Sequence, residues 1–190
     1  MRIHLIRHGA PDCPPQPSLS SKEYRGWMDA YRAAGIIDNP PDSLRTWLKA
    51  TGVQSVFSSV LPRSVQSARA LVGSEYVRSS ALFNEAAITI PPLSFRMKSS
   101  FWTTLGRIIW LCGGAAEEHV AECQVRARAI ADVLMEAASE SETVLMGHGW
   151  MNRMTGKELR KRGFERLTVT GNGFWSRASF HKPSQAFGNA

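Results

Sequence analysis

Residues 2–9, Arg2-Ile3-His4-Leu5-Ile6-Arg7-His8-Gly9, run through Ile3, Leu5 and Ile6 and stop on a cation, an imidazole and a glycine. A short apolar run closed in this way reads as a buried strand. The pattern recurs far along the chain, where Thr143-Val144-Leu145-Met146 leads into Gly147-His148-Gly149. Two strands that each deliver a histidine beside a glycine imply one site, assembled by the fold from distant segments.

Between these runs the periodicity alternates. Tyr24, Trp27, Met28 and Tyr31 fall on one face of a helix expected over 21–35, with Ser20 or Ser21 as N-cap and Gly35 as stop. A short helix over 42–50 precedes a strand at 53–57, and Pro62 opens a helix to residue 71, since proline suits the first turn. Residues 75–78 and 82–85 read as short extended pieces, and 89–100, with Pro91-Pro92, as loop. An apolar helix is expected over 101–111. A long amphipathic one follows over 117–138, with Val120, Cys123, Ala127, Ile130 and Leu134 turned inward. A helix over 150–162, strands at 167–170 and 174–180, and a frayed tail from 182 to 190 complete the reading.

Strands separated by helices predict an α/β fold: a three-layer α/β/α sandwich around a mostly parallel sheet, as one domain over residues 1–190. In such sheets ligands bind beyond the carboxyl ends of the strands. His8, Ser58-Ser59, Glu85 and His148 all fall at or just past an expected strand end. They are therefore expected to share one edge.

Composition narrows the function classes. At 190 residues, 43% hydrophobic and 21% charged, the chain is ordinary globular material. The apolar stretch at 105–111 contains Arg107 and is too short to span a bilayer, and Arg2, His4, Arg7 and His8 interrupt any leader-like segment. A cytoplasmic protein with no membrane partner is expected. Three cysteines without paired spacing give no disulfide framework. Much of the net charge of +7 lies in Lys157, Arg160, Lys161, Arg162 and Arg166. This cluster reads as a solvated helix face, without the interleaved aromatics of a single-strand binder, so no nucleic-acid partner is expected. His4 and His119 read as structural or surface groups. The chain has no phosphate-cradling Gly-x-x-x-x-Gly-Lys loop, zinc-type His-Glu-x-x-His or Gly-x-Ser-x-Gly elbow, and no cysteine followed at the sixth position by arginine.

Arg7, His8, Arg63 and His148 together suggest a chemistry. Arginine offers a permanent charge and a planar fork of donors matched to phosphoryl oxygens. Unprotonated imidazole is a competent nucleophile near neutral pH. A carboxylic acid nearby, with Glu85 the first candidate and Glu117 or Glu118 as alternatives, would protonate a leaving oxygen.

The same residues resemble a known family. Leu5-Ile6-Arg7-His8-Gly9 is similar to the signature of the histidine phosphatase superfamily, which includes the phosphoglycerate mutases. The run 58–68, from Ser58-Ser59-Val60-Leu61-Pro62-Arg63 to Ala68, resembles that family's second block. Leu82-Phe83-Asn84-Glu85 resembles its acidic block, and residues 144–149 its second histidine block. The resemblance implies that His8 becomes phosphohistidine, that Arg7, Arg63 and His148 hold the phosphoryl group, and that Glu85 donates the proton. Ser59 and Asn172 would add contacts, and Trp150 would narrow the pocket or stack on a substrate ring. Neither metal nor cofactor is implied. The expected partner is a small phosphorylated substrate; the sequence leaves the oligomeric state open.

The helix over 21–35 lacks the family's Gly-x-x-Gln-Ala pattern, and Asp12-Cys13-Pro14-Pro15 stands where a mutase carries Asn-rich contacts. Hydrolysis of a phosphomonoester is therefore the expected activity. Phosphoryl transfer of the mutase type, and a non-catalytic module that binds phosphorylated ligands, remain the alternatives.

Overall fold

The computed structural model describes residues 1–53 and 55–183. Its strands are β1 (Arg2–Arg7), β2 (Val56–Ser58), β3 (Val77–Ser79), β4 (Thr143–Gly147), β5 (Glu165–Val169) and β6 (Arg177–His181). Its helices are α1 (Ser21–Ala33), α2 (Asp42–Thr51), α3 (Pro62–Val72), α4 (Ser99–Leu111), α5 (Val120–Glu140) and α6 (Gly149–Lys161).

Alternation along β1 sets the layering. Ile3 and Leu5 enter a core built with Ala127, Ile130 and Leu134 of α5 and Met151 and Leu159 of α6. Ile6 points to the other face, where Leu44 and Leu48 of α2 and Ala68 of α3 cover Val56, Val144 and Met146. Both faces of the central parallel strands β1 and β4 are thus covered, as a buried parallel sheet requires. The strand order is β3-β2-β4-β1-β6-β5. The first four run parallel, and β6 lies antiparallel to both β1 and β5. This is the expected three-layer, mostly parallel sandwich.

Helices α1 and α4 lie beyond this frame and pack on each other through Tyr24 and Trp102, whose rings stack at 5.7 Å. Ser20 caps α1: its hydroxyl accepts from Glu23 N while the Glu23 carboxylate accepts from Ser20 N, the reciprocal box that satisfies free N–H groups at a helix start. Trp102 is fully buried and donates from Nε1 to Leu19 O. It anchors α4.

Three expectations are corrected. Residues 82–85 are not extended: Ala81–Phe83 form a 3-10 turn, because Ser80 Oγ accepts from Leu82 N and Asn84 N bonds back to Ala81 O. The last strand starts at Arg177 instead of 174, since Trp175 takes a left-handed conformation (φ 59°) that no strand accommodates. The long helix starts at Val120, where His119 serves as N-cap with Glu122 returning to its backbone. The frayed tail expected from 182 falls mainly on 184–190, outside the described residues.

Candidate active site

Strands β1, β2 and β4 end at one edge, and each hands its polar residue to the same spot. His8 N donates to Gly147 O (3.0 Å), which brings the His8 and His148 rings to a centroid distance of 5.1 Å. Ser58 and Ser59 follow β2 directly. Arg63 stands on the first turn of α3, placed there by Pro62 at the helix start.

Arg63 organises the pair of rings. It is only 2% exposed. Its Nε donates to His8 Nε2 (3.2 Å), its Nη2 to His148 Nδ1 (3.4 Å), and its Nη1 to Tyr31 O (3.1 Å) near the end of α1. Arginine donates only, so both ring nitrogens that face it must be lone pairs. The other nitrogens have acceptors: His8 Nδ1 donates to Gly9 O (2.7 Å), and His148 Nε2 to Ser59 Oγ (2.7 Å). Each ring is therefore neutral with a defined tautomer. Electrostatics agree. Burial, then His148 and Arg63, hold His8 well below the usual imidazole value; burial, then Arg63 and Arg7, do the same for His148. The product is a neutral imidazole whose Nε2 lone pair lies against a guanidinium.

The loop carrying His8 is clamped. Gly9 N donates to Ser67 Oγ (2.8 Å), and Asp38 accepts from Ala10 N (2.8 Å) and Trp175 Nε1 (2.9 Å). A Cβ at Gly9 would collide with the Asp38 carboxylate and the Trp175 ring, so only glycine fits. Arg7 donates to Asn172 O (3.0 Å), which makes the expected Asn172 contact a backbone one. Its guanidinium lies over the Phe174 ring (4.6 Å), and its Nε has no partner. Among the described residues neither Arg7 nor Arg63 forms an ion pair with a carboxylate, so two guanidinium groups converge on the histidines with their charge uncompensated.

Glu85 reaches the same edge from the loop after the 3-10 turn. Its Oε1 accepts from Met151 N (2.9 Å) and Ala86 N (3.0 Å), and its Oε2 from Trp150 N (3.2 Å), at the start of α6. A side chain with three backbone donors, two of them at a helix N-terminus, has one orientation. Arg126 fixes the backbone behind it by donating to Leu82 O (3.0 Å) and Asn84 O (2.6 Å). The alternative acids are otherwise engaged: Glu118 is paired with Arg126 (2.6 Å) and Glu117 with Arg32 (3.2 Å).

In front of these groups opens a cavity of about 750 Å³, lined in part by Arg7, Arg63, Glu85, Tyr31, Trp27 and Phe174. Ser59 is fully buried behind His148 and acts on the site through that ring. Trp150 does not line the cavity. Its indole packs edge-on against Trp110 (6.3 Å) and under the Arg107 guanidinium (5.0 Å), and its backbone N–H serves Glu85. Tyr31, Phe174, Arg126 and Asp38 were not anticipated as site residues. Tyr31 read as the inner stripe of a helix and Phe174 as part of a strand. Arg126 borders the inner face of α5, but nothing in the sequence indicates that it reaches three carbonyl groups of a distant loop.

No family model matches the chain, and no curated protein does. Solved structures do. Phosphoserine phosphatase from Entamoeba histolytica, solved with phosphoserine, aligns over 96% of this chain and 91% of its own, with a TM-score of 0.61 and 14% identity. The ecdysone phosphate phosphatase from Bombix mori, solved with tungstate, aligns over 96% and 92%, with a TM-score of 0.58 and 11% identity. A mycobacterial glucosyl-3-phosphoglycerate phosphatase aligns over 94% and 88%, with a TM-score of 0.53 and 18% identity. The protein thus has the fold of these phosphatases, over nearly its whole described length.

Proposed function

We propose that the protein is a phosphomonoesterase that works through a covalent phosphohistidine on His8. One observation carries the reading: His8 Nδ1 donates to Gly9 O while Nε2 faces Arg63, so the ring is neutral, with its Nε2 lone pair held against a cation that also lines the cavity. In the first step His8 Nε2 attacks phosphorus and the bond to the alcohol oxygen breaks. Glu85, entering this step protonated, passes its proton to the departing oxygen. In the second step a water attacks phosphorus, gives its proton to Glu85, and the phosphorus–nitrogen bond breaks to release orthophosphate and neutral His8. Arg7, Arg63 and His148 stabilise the charge on the transferring phosphoryl group. A dianion lying against His148 would offset the Arg63 and Arg7 charges that add to burial in keeping the ring neutral, and so favour its taking up a proton and donating it to the phosphoryl group.

The fold shared with phosphatases of phosphoserine and of ecdysone phosphate supports hydrolysis of a small phosphorylated substrate. Free Cys13, Cys112 and Cys123 fit a reducing, cytoplasmic location. No helix among the described residues is long and apolar enough to cross a membrane. The test is phosphate release from p-nitrophenyl phosphate and a panel of metabolites, with EDTA present, by wild type and His8→Ala. Turnover that survives EDTA and disappears in the variant is expected. Binding of the esters without turnover would instead favour the non-catalytic module, and transfer between alcohols without net phosphate release would favour a mutase.

A further inference from the structure

The cavity is far larger than a phosphoryl group, and its walls differ in character from the phosphoryl pocket. On one side α1 presents Tyr31 and Trp27, one helical turn apart. Tyr31 lies under the Arg63 guanidinium at 4.7 Å, Trp27 lies 5.3 Å from Tyr31, and Tyr24 continues the series at 5.6 Å. Tyr31 and Trp27 thus line the cavity beside the phosphate-facing arginine, and Tyr24, fully buried, backs Trp27 from within. Phe174, 41% exposed and 5.7 Å from the His8 ring, flanks the entrance to the phosphoryl pocket. Met28, Leu61 and Ile88 add apolar surface. Aromatic and aliphatic side chains along one wall are suited to packing against a ring-bearing body.

The cations of the outer wall already have partners, two of them carboxylates. Arg32 is held by Glu117, and Arg126 by Glu118 and the carbonyls of 82 and 84. Arg107 donates to Ala87 O (2.6 Å) and Ala86 O (3.3 Å) and lies on the Trp110 ring at 4.7 Å. Beyond Arg7 and Arg63, Arg32 and Arg126 have carboxylate partners, and Arg107, which has none among the described residues, spends both Nη atoms on backbone carbonyls. Two carboxylates, Glu117 and Glu118, stand on that wall instead. A substrate with a second negative group would have to dismantle one of these pairs and face the carboxylate left behind, or draw Arg107 away from the Ala86 and Ala87 carbonyls and strip the backbone of those bonds. Neutral polar groups fare better, since Asn84, Ser100 and Thr103 border the same space.

We propose that the alcohol half of the substrate is an uncharged, ring-bearing group: one phosphomonoester, a flat or alicyclic body seated against Trp27 and Tyr31, and no second anionic group. This rests on the phosphatase reading and adds to it the class of substrate. An aromatic alcohol and a nucleoside share that chemistry.

The experiment compares primary-alcohol esters, so that leaving-group chemistry is matched: 2-phenylethyl phosphate, a nucleoside 5′-monophosphate, glycerol phosphate, phosphoserine and 3-phosphoglycerate. The expected result is a kcat/KM at least about tenfold higher for one or both ring-bearing esters than for phosphoserine and 3-phosphoglycerate, the typical worth of one aromatic contact. Whether phenylethyl or nucleoside leads distinguishes the two sources. Trp27→Ala should cut the preference for the ring ester over glycerol phosphate about tenfold, through KM rather than kcat. Trp27→Phe should keep most of it, which separates loss of the ring from loss of the fold. Preference for phosphoserine or 3-phosphoglycerate overturns the proposal and leaves the phosphatase intact. Failure to release phosphate from any ester, p-nitrophenyl phosphate included, overturns the phosphatase reading itself.

Discussion

Lowering the pH should destabilise the free protein in a window set by two histidines, and an oxyanion should reverse the loss. His8 and His148 are buried, neutral and surrounded by guanidinium groups, and both resist protonation far more than a free imidazole. The sign follows from linkage. Well above pH 6.5 neither the folded nor the unfolded chain protonates these rings appreciably, so nothing changes. Below it the unfolded chain gains protons that the folded protein refuses, so stability falls as pH falls. Between pH 6.5 and 5.5 each ring that stays neutral in the fold contributes RT ln(11/2), about 1 kcal/mol, or about 2 kcal/mol for the pair. His4, lowered chiefly by burial, adds in the same direction. Glu118 and Glu142 act elsewhere. Burial raises each, but hydrogen bonds from Arg126 to the first, and from His4 and Arg2 to the second, leave both below the usual carboxyl value, so the stability they give is intact in this window and is lost only below about pH 4.5. The assay is urea unfolding at pH 6.5 and 5.5, with and without sulfate, which keeps its charge across this range. Sulfate in the Arg7–Arg63 pocket favours protonated rings, so its stabilising increment should grow as the pH drops. Its general salting effect does not depend on pH in this way. Flat stability across the window, or an equal sulfate increment at both pH values, would refute the reasoning.

Glu85→Gln can keep the Oε1 contacts with Met151 N and Ala86 N, but it replaces the acceptor for Trp150 N with an NH2 donor and removes the proton. Its kcat/KM should fall about 10²–10⁴-fold for alkyl esters and much less for p-nitrophenyl phosphate, whose leaving group needs no acid; equal losses on both would assign Glu85 another role. Ser59→Ala leaves the buried His148 Nε2–H without its acceptor, which should cost about 1–3 kcal/mol in urea unfolding, whereas a change below about 0.5 kcal/mol would contradict the tautomer assigned here. Arg63→Lys keeps a positive charge but cannot reach His8, His148 and the Tyr31 carbonyl together. It should lose about 10²-fold or more in kcat/KM, and near-normal kinetics would show that the fork is unnecessary.

The residues that carry the chemistry were legible because each ends a strand. Arg7-His8 and His148 follow apolar runs whose length and composition already define β1 and β4, and a parallel sheet sends such ends to one edge. Arg63 was legible through Pro62, which starts its helix. Long-range polar supports were not. Arg126 serves a loop some forty positions upstream, and Asp38 and Trp175 meet over Gly9 from opposite ends of the chain. No periodicity encodes such pairings. Trp150 shows the complementary difficulty: its position after His148 suggested a substrate contact, whereas its ring packs on Trp110 and only its backbone serves the site. The basic run after Lys157 read as one solvated face. In the structure it divides: Lys157, Arg160 and Arg166 border a groove between α6 and the sheet, while Arg162 pairs with Asp132 (2.9 Å).

The central claim, that His8 carries the phosphoryl group, is open to direct capture. The protein would be mixed with a radiolabelled phosphomonoester, quenched within a turnover at alkaline pH, digested and mapped. The account predicts label on the peptide that contains His8, stable to alkali, lost in acid, and absent from His8→Ala. Rapid phosphate release by wild type with no label on that peptide at any quench time, or label retained in His8→Ala, would contradict it.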